Sequence, residues 1–510
     1  MIRSSWWALI LIFGLAVGQM AGCAAKNSAQ DLADGQTQEA QPNIVLVFMD
    51  DMGYGDVGSF GHPTIRTPTL DRLAHQGQKW TNFYTAYPVC TPSRGSMLTG
   101  RYPIRIGLAP THPGRRVFFP NSAGGLPESE ITIAELLKQK GYATTAIGKW
   151  HLGHLPQYLP TNQGFDSYFG IPYSNDMNMP GGVEIPWSVE KFFSGGHDPN
   201  KWDVPLMENE RIIERPANQW TITKRYTERA VQFIKENKDR PFFLYLAHSM
   251  PHTPLFASEE FFESSDAGLY GDVIEEVDWS VGRVIDTLEE QGLDDNTLVV
   301  FTSDNGPWLL MRQYGGSAGR LRDGKGTTWE GGVREPTFFY WPDKVEPEVV
   351  HDMGSTLDLL PTIASLTGIT LPDDRVYDGY DLTATLTTGA ESPRDEMLFY
   401  RLSQIYAARK GPYKAHFVTE TDFAKDTNRT EHNPPLLFNV NEDPGENYNI
   451  ASEHPDQVAE IKELVAAHRE TIKPVENQLN RYSDTESDDS SDSQEGDSKG
   501  SDPDRPWKNK

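Results

Sequence analysis

Asp50-Asp51 and Asp304-Asn305 are the first residues in this sequence whose types and placement suggest chemistry. Each pair directly follows an apolar run, and together they offer only hard oxygen donors. Such a set suits Ca2+, and Mg2+ less well, whereas zinc would favour His and Cys. Either pair taken alone could equally be a turn or helix-capping group. Basic groups are placed in the same way: Lys149 and His151 follow a third run, His248 and His252 a fourth. Cys90 lies in a segment, residues 88–101, that reads as a loop entering a short helix, and a helix start favours bound anions. From physics alone the thiol is either buried and inert or a functional group.

Four runs would have to position these residues: 43–49, 143–147, 241–247 and 297–302. They read as buried parallel strands, the first a continuous apolar stretch covered on both faces. Helical periodicity falls between them. Residues 131–140 form one pattern, and 272–291 another, with Val273, Val277, Val281, Val284, Ile285 and Leu288 on one face and Gly292 as a stop. The alternation predicts an α/β domain, a large central mostly parallel (mixed) sheet flanked by helices. Ligands collect beyond the carboxyl ends of such strands, where all these polar residues fall. After about residue 375 the pattern changes to short antiparallel strands at 396–400, 404–409, 413–418 and 436–440, then a helix over 457–471. A smaller antiparallel sheet-plus-helix domain is expected there.

The 510 residues carry a net charge of −27, which argues against a nucleic-acid partner, and the 37% hydrophobic content suffices for a large core. With only Cys23 and Cys90, a disulfide framework is excluded. Residues 1–22 read as a signal peptide: Arg3, an apolar stretch from Trp6 to Val17, then small residues before Cys23. Ala21-Gly22-Cys23 resembles the lipobox of bacterial lipoproteins, with Met20 where that box usually has Leu. Lipidation of Cys23 would anchor an exported chain to the (outer) membrane, in the periplasm or at the cell surface; an ordinary secretory signal is the alternative. The expected order is then a flexible tether at 23–41, a catalytic domain at 42–374, a C-terminal subdomain at 375–482 and an acidic disordered tail at 483–510.

Cys90-Thr91-Pro92-Ser93-Arg94, extended through Leu98-Thr99-Gly100-Arg101, resembles the signature of the type I sulfatases, especially the arylsulfatase A group. The resemblance spans roughly residues 42–475. It includes Asp50-Asp51-Met52-Gly53-Tyr54-Gly55-Asp56, Gly148-Lys149-Trp150-His151, Gly170-Ile171-Pro172-Tyr173-Ser174, Pro251-His252, Ser303-Asp304-Asn305-Gly306, Gly324-Lys325 and Glu330-Gly331-Gly332-Val333-Arg334. It implies the alkaline phosphatase-like sulfatase fold and a hydrolase for sulfate monoesters. In that family a dedicated maturase oxidises the signature cysteine to Cα-formylglycine (3-oxoalanine). One hydroxyl of the aldehyde hydrate attacks sulfur and expels the alcohol. The second then loses its proton, re-forming the aldehyde and ejecting sulfate.

Carried onto this chain, the resemblance makes Asp50, Asp51, Cys90, Asp304 and Asn305 ligands of Ca2+ and Arg94 their support. Lys149 and Lys325 would neutralise sulfate oxygens. His151 would take the second hydroxyl's proton, His252 would protonate or orient the leaving oxygen, and Ser174 would position diol or sulfate. Asn175 stands where relatives often have His. His248, Arg334 and Asp56 read as scaffold. Expected substrates are a sulfated carbohydrate or an aryl sulfate. Trp187, Trp202, Trp220 and Trp308 could stack on sugar rings or serve packing. The rival readings are a phosphate or phosphonate ester hydrolase on the same scaffold, and a catalytically silent glycan-binding lipoprotein.

Overall fold

The strand β1 (Asn43–Met49) alternates its side chains between two apolar layers, Val45, Val47 and Met49 in one and Ile44, Leu46 and Phe48 in the other. A strand buried on both faces has to lie at the centre of a covered sheet, each large side chain contributing about 1.5–3 kcal/mol by its burial. In the computed structural model, which describes residues 41–178, 198–421 and 428–482, β1 is flanked on both sides by parallel partners.

Nine more strands complete this sheet: β2 (Gln78–Tyr84), β3 (Ala143–Gly148), β4 (Ser167–Gly170), β5 (Leu206–Glu208), β6 (Arg211–Glu214), β7 (Phe242–Ala247), β8 (Thr297–Ser303), β9 (Thr337–Tyr340) and β10 (Glu348–Ser355). Their order is β10-β2-β9-β8-β1-β7-β3-β4-β5-β6. β8, β1, β7, β3 and β4 run parallel, β9 runs antiparallel to both its neighbours, and the β4-β5-β6 edge is antiparallel. The mixed, mostly parallel sheet expected from the sequence is the one observed.

The register matters most for function. Met49 pairs with Ser303, Phe48 with Ala247, and Gly148 with Ala247. The residues that follow, Asp50, Asp304, His248 and Lys149, are thereby brought to one rim although they lie far apart in sequence.

Helices cover both faces. α1 (Pro68–Gln76), α4 (Ile222–Glu236) and α5 (Gly268–Gln291) pack on one layer. α2 (Cys90–Thr99), α3 (Ile133–Lys138), α7 (Leu359–Leu366) and α8 (Thr383–Thr388) pack on the other, with the short α6 (Glu330–Val333) between β8 and β9. α3 is shorter than the 131–140 pattern because a capping box between Thr132 and Glu135 starts it late, and the chain turns off before Gly141 at φ 78°. α5 starts earlier than residue 272. Asp272 lies inside the helix and accepts hydrogen bonds from the backbone N–H groups of Glu263, Ser264 and Ser265, stitching the preceding loop to it.

Beyond residue 390, β11 (Glu396–Arg401), β12 (Gln404–Lys410), β13 (Tyr413–Thr419) and β14 (Thr430–Asn439) form an antiparallel sheet in that order, packed with α9 (Pro455–Glu470). β14 begins six residues before the expected 436, despite Pro434 and Pro435. It can do so because it is an edge strand, where a missing N–H costs no ladder bond on the open side. Met397, Phe399, Ala407 and Leu437 join the same apolar layer as α5. A fully buried polar knot ties this sheet to the large one: Lys414 bridges Glu330 (2.8 Å) and Glu446 (3.3 Å), and Tyr84 donates to Glu330 (2.7 Å).

No described helix is long and apolar enough to cross a membrane. The expected signal peptide, Cys23, nearly all of the tether, Trp187 and the acidic tail lie outside the described residues.

Candidate active site

Asp50 and Asp51 turn off the end of β1 into a fully buried rim. Asp51 adopts φ 62°, a costly conformation for a non-glycine residue, and its N–H donates to Asp304 Oδ1 (3.2 Å) just beyond β8. The Met52 N–H donates to Ser303 Oγ (3.1 Å), so the two loops are locked together. Gly148 sets the third position. At φ 109° its α-carbon packs so tightly on β7 that a Cβ would fall 1.8 Å from the Ala247 carbonyl oxygen. Only glycine fits, and Lys149 follows it.

Cys90 is the first residue of α2, and its Sγ lies 3.5 Å from Asp50 Oδ1. Burial pushes this thiol's pKa up, against the pull of Lys149 and Lys325. One helical turn on, Arg94 points the same way. Its guanidinium donates to Asp304 Oδ2 through Nε (2.9 Å) and Nη2 (2.8 Å), to the Lys149 carbonyl (3.2 Å) and to the Met49 carbonyl (3.4 Å), and it pairs with Asp50 at 3.5 Å. One side chain thus joins the ends of β1, β3 and β8.

The lysines reach the paired carboxylates from two directions. Lys149 Nζ lies 2.5 Å from Asp50 Oδ2 and 3.2 Å from Ser174 Oγ. Lys325 Nζ lies 2.7 Å from Asp51 Oδ2 and 4.7 Å from the centre of the Trp308 ring. Burial pushes Asp50 up, but Lys149, with His252, Arg94 and Lys325, outweighs it and holds the carboxyl well below its usual range. For Asp51 and Asp304 burial wins despite Lys325 and Arg94, and the Asp304 carboxyl is pushed up to about 7.

Two histidines complete the wall. His151 has Nε2 3.0 Å from the Phe118 carbonyl, so the ring proton belongs there and Nδ1, which has no partner among the described residues, keeps its lone pair. His252 has Nδ1 2.6 Å from the Thr253 carbonyl, while Nε2 lies 3.5 Å from both Ser174 Oγ and Asp51 Oδ2. Burial lowers both imidazoles well below the usual histidine value. Cys90, His151, Ser174, His252 and Lys325 all line one cavity of about 350 Å³, together with Arg116, Asp176, Met177 and Trp308.

The donor set fits a calcium ion. Ligand atoms of Asp50, Asp51, Cys90 and His252 lie within 4.8 Å of one another, the two carboxylates supplying the hard oxygens; Asp304, expected among the ligands, falls outside this group because its oxygens receive Asp51 N–H and Arg94. Asn305 Nδ2 donates to Asp51 Oδ1 (2.7 Å), leaving its buried Oδ1 unpartnered among the described residues. Carboxyls whose pKa burial raises are groups that need more positive charge nearby, and a dication supplies it. Arg94, Lys149 and Lys325 balance Asp50, Asp51 and Asp304, so Ca2+ leaves the site net positive and able to draw an anionic ester into a strongly acidic protein.

His248 lies beneath the site, 3.2 Å from Ser280 Oγ on α5, and burial lowers its pKa to about 3. Arg334 is tied to the Thr81 carbonyl and Glu330, and Asp56 receives Gly53 N–H, Ser317 N–H and the Tyr270 hydroxyl. All three are scaffold. Trp202 is core, and Trp220 packs edge-on to Phe256 and Phe262, so only Trp308 of the described expected aromatics lines the cavity. Sequence reasoning missed Asp176 and Arg116 at the cavity wall. Asp176 lies two residues beyond Ser174, but neither it nor Arg116 carried a signal of its own.

A hard-oxygen cation site beside paired lysines, facing a cavity at the carboxyl ends of parallel strands, defines a metal-assisted hydrolase of tetrahedral oxyanion esters. A family model described as sulfatase matches residues 42–369, and one described as the C-terminal region of aryl-sulfatase matches 392–494. The chain is 42% identical to human arylsulfatase A over 456 residues, 85% of this chain and 89% of that protein. It is 39% identical to human N-acetylgalactosamine-6-sulfatase over 474 residues, 86% of this chain and 88% of that protein. The crystal structure of Ps i-CgsB with k-i-k-neocarrahexaose aligns with a TM-score of 0.71 at 30% identity, covering 87% of this chain and 95% of that one. The chain belongs to the formylglycine-dependent type I sulfatases, in their arylsulfatase A-like group, and is a sulfuric ester hydrolase with Ca2+ and a Cys90-derived formylglycine as its cofactors.

Proposed function

We propose that this sulfatase removes sulfate from a sulfated carbohydrate, with aryl sulfates as artificial substrates, after a maturase converts Cys90. When present, the Ca2+ supplies Lewis acidity and the formylglycine supplies, through its hydrate, an oxygen nucleophile and a second ionisable hydroxyl. Asp50, Asp51 and Asn305 would hold the cation, with Asp304 behind them and the residue at 90 facing them. Arg94 orients Asp50 and Asp304 and neutralises their charge.

Lys149 and Lys325 stand on the two neighbouring carboxylates, Lys149 fully buried on Asp50 and Lys325 on Asp51 at the cavity wall beside Cys90. They bind the sulfate oxygens and stabilise the charge that grows there. His151 accepts a proton at Nδ1, the atom its Phe118 contact leaves available. Its lowered pKa keeps that lone pair free at neutral pH. His252, held through Nδ1 on the Thr253 carbonyl, turns Nε2 toward the cavity to orient the leaving oxygen, and Ser174 bridges Lys149 and His252.

The observation that carries this reading is the 3.5 Å approach of Cys90 Sγ to Asp50, itself paired with Lys149, at a cavity wall that holds Cys90, Lys325 and both histidines. Turnover of nitrophenyl sulfate and nitrophenyl phosphate by matured protein tests it. A strong preference for sulfate is expected, and a preference for phosphate would defeat the assignment.

A carbohydrate substrate is supported by two relatives, one named for action on N-acetylgalactosamine 6-sulfate and one solved with a bound hexaose. Export with a lipid anchor on Cys23 is supported by the sequence of residues 1–23 alone. Full-length protein expressed in a bacterium is expected in the detergent-rich membrane fraction, and Cys23→Ala in the soluble fraction. Identical fractionation of the two would count against the anchor.

A further inference from the structure

Asp176 has no part in the chemistry above, yet it stands in the wall of the same cavity. It lies two residues beyond Ser174, is 5% exposed, and its Oδ1 has no hydrogen-bond partner among the described residues. A buried carboxylate oxygen without a donor is costly, of order 1–3 kcal/mol or more for a charged group, and in a binding cavity that cost is relieved by a ligand that brings the donor.

The ligand's chemistry follows from charge. A carboxylate only accepts hydrogen bonds at neutral pH, and a sulfate monoester group has only acceptor oxygens, so the two repel. Sulfate belongs at Lys149 and Lys325, whose Nζ atoms lie on Asp50 and Asp51. Asp176 must therefore meet the alcohol part of the substrate, at an O–H or N–H close to the ester. A sugar carries such a donor within two carbons of its sulfated position, the C4 hydroxyl in the case of a 6-sulfate; a nitrophenyl group carries none. Trp308, at 5.5 Å from the His252 ring, offers the apolar face against which a ring could lie.

We infer that Asp176 is a specificity-determining residue, its free Oδ1 accepting a hydrogen bond from a hydroxyl or amide N–H beside the sulfate ester of a carbohydrate substrate. Burial raises its carboxyl pKa while Lys149, Lys325 and a hydrogen bond from Ser174 pull it back, so one oxygen is served and Oδ1 still gains from a donor. The inference deepens the carbohydrate reading and rests on it.

The test compares wild type, Asp176→Asn and Asp176→Ala on nitrophenyl sulfate and on a panel of monosulfated galactose, glucose, fucose and N-acetylgalactosamine, with melting temperatures of all three proteins. Wild type is expected to turn over at least one sulfated sugar. Asp176→Asn keeps the shape and one acceptor oxygen but loses the charge, so it is expected to lose about three- to tenfold in kcat/KM on that sugar while nitrophenyl sulfate turnover is unchanged. Asp176→Ala removes the acceptor and should lose about ten- to hundredfold on the sugar while staying within about threefold on nitrophenyl sulfate; if it fails to fold, Asp176→Leu, which also lacks an acceptor, decides. Equal losses on both substrates, or none on either, would overturn the assignment of Asp176. Wild type turning over nitrophenyl sulfate and none of the sugars would instead fail at the first step, removing the carbohydrate reading and this inference with it.

Discussion

At the scale of single residues, Arg94 shows how much of this site is held from behind. Its planar fork satisfies Asp304 twice and reaches Asp50 and two backbone carbonyls without any exposure to solvent. A lysine would keep the charge and lose the fork. Arg94→Lys is therefore expected to lower calcium affinity about tenfold or more, read as a weaker calcium-dependent rise in melting temperature. An unchanged thermal response to calcium would show that Arg94 does not orient the ligands. The cation ligands and lysines were legible in the sequence because each follows a strand or sits in a motif. Asp176 was not, since nothing in a loop sequence says which carboxylate will be left without a donor.

Elements decide which residues meet. β1 could be read from its uninterrupted apolar run, and the pairing Met49 with Ser303 then brings Asp50 to Asp304. β2, β9 and β10 were not singled out: β2 carries Gln78, Lys79, Thr81 and Asn82, and β10 carries exposed Glu348, Val349 and His351. Their pairing is settled by neighbours distant in sequence, so local periodicity does not show it.

The knot between β13 and α6 was equally hidden, because its charges are buried only when the two sheets meet. Burial pushes Glu330 up, but Lys414, with Arg334 and Arg409, outweighs it and holds the carboxyl down to about 2. A carboxyl depressed on folding adds stability above its unfolded pKa of about 4.5, and that stability is lost as pH falls toward 2. Lys414→Met leaves Glu330 and Glu446 short of a cation. It is expected to cost about 3–5 kcal/mol in denaturant unfolding and to move the acid unfolding midpoint to higher pH. A loss below about 1 kcal/mol would mean that the knot does not hold the sheets together.

Across the whole molecule, a chain of net charge −27 has to bind an anionic ester. It does so by confining positive charge to one rim, where Arg94, Lys149 and Lys325 cancel three carboxylates and Ca2+ tips the balance. Composition revealed the acidity and argued against a nucleic-acid partner; only the folded rim shows where the sign reverses. Everything at that rim is arranged around position 90, so catalysis should depend on what that side chain has become. The most direct measurement takes preparations matured to different extents and compares nitrophenyl sulfate turnover with the converted fraction of the tryptic peptide spanning residues 80–94, which is lighter by about 18 Da when Cys90 becomes formylglycine. Turnover is expected to rise in proportion to that fraction and to extrapolate to zero for the unconverted thiol. Full activity in protein whose Cys90 is entirely unconverted would contradict the account.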